Sequence, residues 1–254
     1  MTTSGRGGDA WACVCYRRVE LVYPLAKVLF RPVLRHGVRW TVEGAHLIPV
    51  RGPVILASNH VSYLDPFVLG YLADLRKRRV RFLAKAELFE KSGLGVLLRS
   101  MRQIPVQRGT EAAASSLDAA RAALEAGECV AVFPEGTISL DLDPMPGRTG
   151  AARLAAATGV PVIPVGLWGL HRVLFKGRPP RWRWGVAESV VVGTPLRVSP
   201  DEDVHAATDR IMAAVAEAVA RAREIYPQRP APGEDPWWVR PPGSARLRPS
   251  GSVP

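Results

Sequence analysis

The sequence predicts a single α/β domain with a largely parallel or mixed central sheet flanked by helices, preceded by N-terminal amphipathic helices that associate with a membrane. Short apolar runs alternate with longer helical patterns through most of the chain, an order typical of a parallel sheet covered on both faces. The chain has 254 residues, of which 47% are hydrophobic. This length and composition suit one large hydrophobic core.

The first 36 residues differ in composition from the rest of the chain. Residues 1–9 are rich in Gly, Ser and Thr and are predicted to be disordered. Residues 10–36 place apolar side chains at helical spacing opposite a basic face. Two interpretations fit: helices that lie on an anionic bilayer, or a helix packed on its own domain. No uncharged apolar window reaches about 18 residues, and no signal-peptide core is found. We therefore expect peripheral attachment to the cytoplasmic face of the cell membrane.

The domain is expected to span residues 37–226. Apolar runs predict a strand at 38–43 and a second strand that ends at Asn59. Further strands are predicted at 80–85, 104–107, 129–133, 160–165 and 189–193. Helical patterns lie at 66–74, 93–101, 111–126, 148–158 and 201–225. The last pattern starts from a capping signal, Ser199-Pro200-Asp201. Residues 227–254 are rich in Pro, Gly, Arg and Ser and are predicted to be mostly disordered, with Trp237 and Trp238 as the only anchor.

The formal charge is +11, from 34 basic and 23 acidic side chains. A surplus of this size favours partners that carry phosphate: nucleic acid, an anionic membrane or a phosphorylated small molecule. The run RKRRVR (76–81) motivates the nucleic-acid interpretation, but no binding motif and no alternating aromatic platforms accompany it. We expect no nucleic-acid partner, and the run is interpreted as a solvated loop or a membrane-facing patch.

The three cysteines and five histidines show no metal-ligand spacing. An odd number of cysteines without a disulfide framework indicates reduced thiols in a cytosolic compartment. A metal-dependent hydrolase that uses His60, Asp65 and another histidine is therefore disfavoured. We expect no metal site.

The first candidate for chemistry is His60. The stretch PVILASNHVSYLDP (53–66) reads as a buried strand, a loop and a helix that starts at Asp65. Loops at strand ends carry the chemistry of many α/β proteins. If residues 61–64 form a turn, Asp65 can accept a hydrogen bond from one ring nitrogen of His60, and the other nitrogen becomes a general base. The alternative is that His60 closes the turn and Asp65 only caps the helix.

Two further stretches, VAVFPEGTIS and QIPVQRGT, each end an apolar strand in a polar loop. Glu135 and Thr137 of the first stretch offer hydrogen bonds, and Gly136 permits close approach of a ligand to the backbone. Without other motifs, this loop could be an ordinary turn. Arg108 of the second stretch is either a surface charge or a phosphate fork. Because loops of this type share one edge of a parallel sheet, we expect them to meet near His60.

These motifs, in this order, resemble those of the glycerolipid acyltransferase family, whose bacterial type member acylates 1-acylglycerol-3-phosphate. The resemblance spans about residues 38–195. The matching residues are Asn59, His60 and Asp65 for the first motif, Arg108 for the second, Phe133 to Thr137 for the third, and Val160 to Pro164 for the fourth. Four ordered motifs are much more specific than any one of them.

The resemblance implies that His60, held by Asp65, deprotonates a glycerol hydroxyl, which attacks the thioester of acyl-CoA or acyl carrier protein. Arg108 and the loop 135–137 would hold the acceptor, with Asn59 in the same binding site. No metal or bound cofactor is required. The implied product is phosphatidic acid for phospholipid synthesis, and another lysophospholipid or a glycolipid is the alternative acceptor. The expected partners are the acyl thioester, the lysophospholipid and an anionic membrane surface.

One position departs from the family pattern. The family often has arginine directly after the threonine, where this chain has Ile138, which cannot bind phosphate. Either Arg108 binds the phosphate with help from a second cation, or the preferred acceptor has a different headgroup. Arg148 begins a helical pattern after this loop and is the candidate second cation, since a helix N-terminus also favours anions. The alternative is that Arg148 is a solvated residue of the first helical turn.

Overall fold

The structure is a computed structural model that describes residues 34–106 and 112–239, together with Pro32. The described residues form a seven-stranded sheet in the order β1-β7-β6-β2-β5-β3-β4. The strands are β1 (Val38–Glu43), β2 (Val54–Ser58), β3 (Val80–Lys85), β4 (Ile104–Val106), β5 (Cys129–Val132), β6 (Val162–Trp168) and β7 (Val186–Val192).

Neighbouring strands run parallel except β6 and β7, which are antiparallel. Between these two strands the described chain has a single 3₁₀ turn, Leu170–Arg172, and no α-helix. Without a crossover helix, the chain returns beside β6 in the opposite direction. The expected α/β fold with a largely parallel central sheet is confirmed.

Helices cover both faces of the sheet. They are α1 (Asp65–Leu75), α2 (Glu87–Glu90), α3 (Leu94–Ser100), α4 (Ala112–Glu125), α5 (Gly150–Thr158) and α6 (Val204–Glu224). All but α2 coincide with predicted helical patterns to within a few residues. A single turn such as α2 carries too little periodicity to be recognised in a sequence.

The central strands β2 and β5 are buried along their whole length, which explains their unbroken apolar runs. Alternate residues of β2 enter two separate cores, since successive side chains of a strand point to opposite faces. Leu56 packs in the core formed with α1, whereas Ile55 packs in the core formed with α4, α5 and α6. β2 therefore ends in the middle of the molecule, and the loop after it is supported from both faces.

Helix α6 begins later than its sequence signal predicts. Its N-cap is Asp203, whose carboxylate accepts hydrogen bonds from the amides of His205 (3.0 Å) and Ala206 (2.8 Å). Asp201 instead bonds to the Ser199 hydroxyl, outside the helix. The predicted cap is therefore wrong by two residues, because two aspartates of equal capping propensity lie close together.

Residues 227–239, here called the C-terminal strap, follow the predicted domain boundary at residue 226 and pack on the domain. Trp238 is only 1% exposed, and the Arg172 guanidinium lies 3.5 Å from its ring centroid. Arg172 also bonds to Gln228 and Glu234 of the strap. A buried tryptophan removes enough apolar area from water to order a proline-rich segment. Residues 240–254 lie outside the described residues.

The predictions for residues 1–9 and for the amphipathic helices of residues 10–36 lie almost wholly outside the described residues. Of this segment the structure describes Pro32 and residues 34–36. Within the described ranges, no helix is both long and apolar enough to cross a bilayer.

Candidate active site

The loop after β2 folds back on the start of α1. The Asp65 Oδ2 atom lies 2.9 Å from the His60 Nδ1 atom and accepts the amides of Val61 and Ser62, each at 2.7 Å. The turn that would bring His60 and Asp65 together is therefore present. Asp65 is the first helical residue rather than the N-cap, which is Leu64. Its carboxylate points back to the preceding loop, so the predicted capping of α1 by Asp65 is corrected.

This arrangement orients the His60 ring. A carboxylate accepts hydrogen bonds only, so Nδ1 carries the proton and Nε2 of the neutral ring keeps a free lone pair. Asp65 is 1% exposed and the His60 side chain is 17% exposed. The ring stacks on Phe133 with a centroid separation of 4.2 Å and an interplanar angle of 21°. A fixed, partly exposed histidine with one free nitrogen is suited to take a proton from a hydroxyl group.

Asn59 supports the sheet. Its Nδ2 donates to the Leu167 carbonyl at 3.0 Å, and its Oδ1 accepts the Leu167 amide at 2.8 Å. The residue is fully buried. The assignment of Asn59 to substrate binding stays a prediction, and the structure shows its amide bonded to Leu167. Its amide replaces a backbone pair between the end of β2 and β6, and so fixes the point at which the His60 loop leaves the sheet.

Glu135 contacts the same loop. The Glu135 Oε1 atom accepts the His60 amide at 2.9 Å, and Glu135 is only 4% exposed. Burial raises the pKa of the Glu135 carboxyl to about 7, while the amides of His60 and Met145 lower it and the Asp65 carboxylate raises it. The other oxygen, Oε2, is buried without a hydrogen-bond partner in the described chain. Glu135 therefore holds the His60 amide through one carboxylate oxygen.

The residues after Glu135 point in different directions. Gly136 has a φ of 72°, a left-handed conformation that glycine adopts at little cost, and Thr137 is exposed. Ile138 is 5% exposed and packs with Val61 and Trp168 in a hydrophobic cluster. The position that departs from the family pattern thus faces the core in this chain. There it packs against Val61, the residue next to His60.

A cavity of about 400 Å³ lies beside Phe133. It is lined by residues of β3, β4, β5 and α4, by the loop after β5 and by the start of α5. Its walls are largely apolar and include Leu83, Val106, Leu117 and Val132. Gly136, Arg148 and Arg153 also line it. The Arg148 side chain is exposed and has no hydrogen-bond or ion-pair partner among the described residues. An apolar cavity with two cations suits a ligand that has a hydrocarbon part and an anionic part.

Comparison with known proteins agrees with this geometry. The family described as acyltransferase matches residues 39–168, about half of the chain, including the loops of His60 and Glu135. The chain belongs to the acyltransferase family.

Named relatives make the match more specific. The acyltransferase is 30% identical to 1-acyl-sn-glycerol-3-phosphate acyltransferase alpha of Homo sapiens, over 77% of this chain and 69% of that protein. It is 26% identical to 1-acyl-sn-glycerol-3-phosphate acyltransferase of Bacillus subtilis, over 76% of this chain and 89% of that protein. The crystal structure of the 1-acyl-sn-glycerophosphate acyltransferase of Thermotoga maritima superposes with a TM-score of 0.60 at 26% identity, covering 88% of this chain and 86% of that one.

The sequence predicts Arg108 as a site residue but gives no signal for Ser62. Arg108 lies outside the described residues, although Val106, two residues before it, lines the cavity. Ser62 was not recognised as part of the site, and its hydroxyl donates to the carbonyls of Leu170 (3.2 Å) and Leu174 (2.8 Å). No sequence signal links Ser62 to partners more than 100 residues away. The contact ties the His60 loop to the turn after β6.

Proposed function

We propose that this acyltransferase moves a fatty acyl group from an acyl thioester to the free hydroxyl of 1-acylglycerol-3-phosphate and so forms phosphatidic acid. The observation that carries the proposal is the His60–Asp65 pair, in which a buried carboxylate fixed by two amides orients the histidine ring. The relatives named above carry this activity in their names, and the solved structure among them superposes over 88% of this chain.

The proposed reaction needs one base that later acts as an acid. His60 Nε2 takes the proton of the acceptor hydroxyl while the oxygen attacks the thioester carbonyl, and the Asp65 carboxylate stabilises the imidazolium that forms. The resulting tetrahedral intermediate collapses, the carbon–sulfur bond breaks, and the thiolate leaves with the proton from His60. The products are the ester and a free thiol, and no covalent intermediate with the enzyme is required.

The cavity beside Phe133 supports a binding mode for the acceptor. We place the phosphate of the acceptor near Arg148, whose guanidinium is exposed and unpaired in the described structure. Arg108 is the proposed second contact, because it follows cavity-lining Val106 by only two residues, a reach of roughly 7 Å. Together these two cations would replace the arginine that the family often has at position 138.

The donor and the location complete the proposal. Acyl-CoA or acyl carrier protein supplies the thioester, and neither a metal nor a bound cofactor takes part. The enzyme works as a peripheral protein at the cytoplasmic face of an anionic membrane, where its lipid acceptor lies. The +11 formal charge supports this location, since anionic lipid surfaces attract basic proteins.

The test is a product assay with the purified full chain, an acyl-CoA and a panel of acceptors after dialysis against EDTA. We expect phosphatidic acid from 1-acylglycerol-3-phosphate and little acylation of lysophosphatidylcholine or a glycolipid. The variants Arg108→Ala and Arg148→Ala should each lower kcat/KM for the phosphate acceptor about tenfold or more, because a charge-assisted hydrogen bond is lost. Dependence on the acyl-CoA concentration should change much less. Preference for an acceptor without a phosphomonoester, or loss of activity in EDTA, would contradict the proposal.

A further inference from the structure

A second cleft lies at the opposite edge of the sheet from His60. It has a volume of about 460 Å³ and is formed where β3 and β5 begin and where α1, α3 and α4 end. Glu128 is the single carboxylate among its lining residues. Five lining residues are cations: Lys77, Arg78, Arg79, Arg81 and Arg102. Because β3 is six residues long, this cleft lies roughly 20 Å from the His60 edge.

Two of the cations occupy backbone positions at which glycine is the usual residue. Lys77 has a φ of 56° and Arg102 a φ of 53°, each directly after the end of a helix. In both cases the next residue bonds back across the helix end: Arg78 to Ala73 and Gln103 to Leu98, each at 2.9 Å. A residue with a side chain is less stable than glycine in this left-handed position.

The end of α4 provides a comparison within the same cleft. There the equivalent position is Gly127, with a φ of 78°, and the Glu128 amide bonds back to Ala123 at 3.0 Å. Glycine is therefore sufficient to form the turn at the end of a helix in this cleft. The negative end of a helix attracts cations, and this gain is of the same order as the backbone cost.

The cations of the cleft have different environments. Arg78 is buried and donates to the carbonyls of Pro49 (2.9 Å) and Gly127 (3.1 Å), so it holds the cleft together. Arg81 pairs with Glu128. Lys77, Arg79 and Arg102 are exposed, and the cations that line the cleft outnumber its single lining carboxylate.

We propose that this cleft is a second binding site of the acyltransferase, for a phosphate-bearing polyanion, separate from the acceptor site. Its volume lies within the range of small-molecule sites. Its lining is mostly charged, unlike the apolar cavity beside Phe133, so it suits a phosphate ester and not an acyl chain. The phosphate can belong to a soluble metabolite or to a lipid headgroup, and the experiment distinguishes the two sources.

The key variant is the double substitution Lys77→Gly and Arg102→Gly in the full chain. Glycine is favoured at both backbone positions, so this variant should fold and have an equal or higher Tm. The matched control is Arg121→Gln with Arg221→Gln, which removes two exposed cations from α4 and α6. Arg148→Gln serves as a third variant, in which only the proposed acceptor site is altered.

Binding of inorganic tripolyphosphate is measured by calorimetry at low and high salt, and binding of phosphatidylcholine vesicles is measured with and without phosphatidic acid. We expect the glycine variant to bind tripolyphosphate about tenfold or more weakly than the control and Arg148→Gln. A loss seen only with vesicles that contain phosphatidic acid would also support the site and would assign a lipid headgroup as the source. If the glycine variant matches the control with both probes, the proposal is overturned. Neither result depends on acyl transfer, so the cleft is tested independently of the proposed function.

Discussion

His60 is held through its ring nitrogen, its ring face, its amide and its carbonyl. Asp65 binds the ring nitrogen, Phe133 stacks on the ring, Glu135 accepts the amide, and the Ser139 amide donates to the carbonyl at 2.8 Å. Such fixation reduces the entropy that must be lost to reach a reactive geometry. These contacts hold His60, the proposed base, in place although it lies on a loop.

The first prediction concerns the pair itself. His60→Ala and Asp65→Ala should each lower kcat by about a hundredfold to ten-thousandfold, because an oriented general base is lost. The secondary structure measured by circular dichroism should stay that of the wild type for His60→Ala, whose side chain is partly exposed. Product formation is followed by thin-layer chromatography of labelled phosphatidic acid. Activity within a few-fold of wild type in folded His60→Ala would remove His60 from the mechanism.

The second prediction concerns Glu135 and has a pH signature. The pKa of this carboxyl is raised by burial to about 7 in the folded state, above the ordinary value of 4.5. The folded protein then binds more protons than the unfolded chain between these values, so the stability contributed by protonated Glu135 is present at low pH and is lost as pH rises to 7. The loss is on the order of 3 kcal/mol.

Glu135→Gln removes this titration and keeps an oxygen that can accept the His60 amide. The free energy of unfolding of the wild type, minus that of Glu135→Gln, should therefore fall between about pH 5 and pH 7 in urea titrations. Activity gives a second measurement: Glu135→Gln should retain more kcat than Glu135→Ala, which leaves the His60 amide unpaired. A pH-independent difference between wild type and Glu135→Gln would show that the carboxyl is ionised throughout.

At the scale of elements, the C-terminal strap differs most from what its composition indicates, because it packs on the domain. It packs on the turn after β6, where buried His171 lies with its ring centroid 4.5 Å from that of Trp168. The Trp238 carbonyl lies 3.3 Å from the His171 Nε2 atom. The same hydrophobic cluster contains Val61 and Ile138. The strap therefore supports the His60 loop from behind.

The third prediction follows from this packing. Trp238→Ala should destabilise the domain by about 3–5 kcal/mol, the usual cost of removing a buried tryptophan. It should also lower the rate of acyl transfer at temperatures below the melting temperature, since the His60 loop loses part of its support. Trp184→Ala is the matched control, because Trp184 is 71% exposed and its loss should change stability little. Equal melting temperatures for the two variants in calorimetry would show that the strap does not stabilise the domain.

At the scale of the whole molecule, the parallel part of the sheet separates the His60 loop from the basic cleft. The carboxyl ends of β2 and β5 carry His60 and Glu135, and the amino ends of β3 and β5 border the basic cleft. This division follows from the direction of the strands, since loops at one edge of a parallel sheet are close in space. The membrane contact proposed for residues 10–36 is a third feature, and it precedes the first strand of the sheet in the chain.

The fourth prediction tests that contact. Deletion of residues 1–36 should release the protein from vesicles that contain anionic lipid, and high salt should weaken binding of the full chain because exposed charges are screened. Sedimentation with vesicles measures both effects. Acyl transfer to a short-chain, water-soluble acceptor serves as the control for folding of the shortened chain. Equal sedimentation of the deletion variant and the full chain would place the membrane contact elsewhere.

The sequence by itself determined the order of elements, their approximate bounds and the family. Strands such as β2 are buried on both faces and read as unbroken apolar runs, and helices such as α4 show their periodicity in a single stretch of chain. The turn between His60 and Asp65 is also local, because all its donors and acceptors lie within six residues. Such features depend on neighbours along the chain and can be inferred without knowing the rest of the fold.

Only the tertiary structure decided which polar residues face the site. Asn59 bonds to Leu167, 108 residues away, and Glu135 bonds to His60, 75 residues away. Ile138 faces the core, and Trp238 orders a segment whose composition indicates disorder. In each case the partner is brought near by the pairing of strands or by packing across the sheet. A side chain's role depends on what surrounds it in space, and that environment is fixed only when distant parts of the chain have come together.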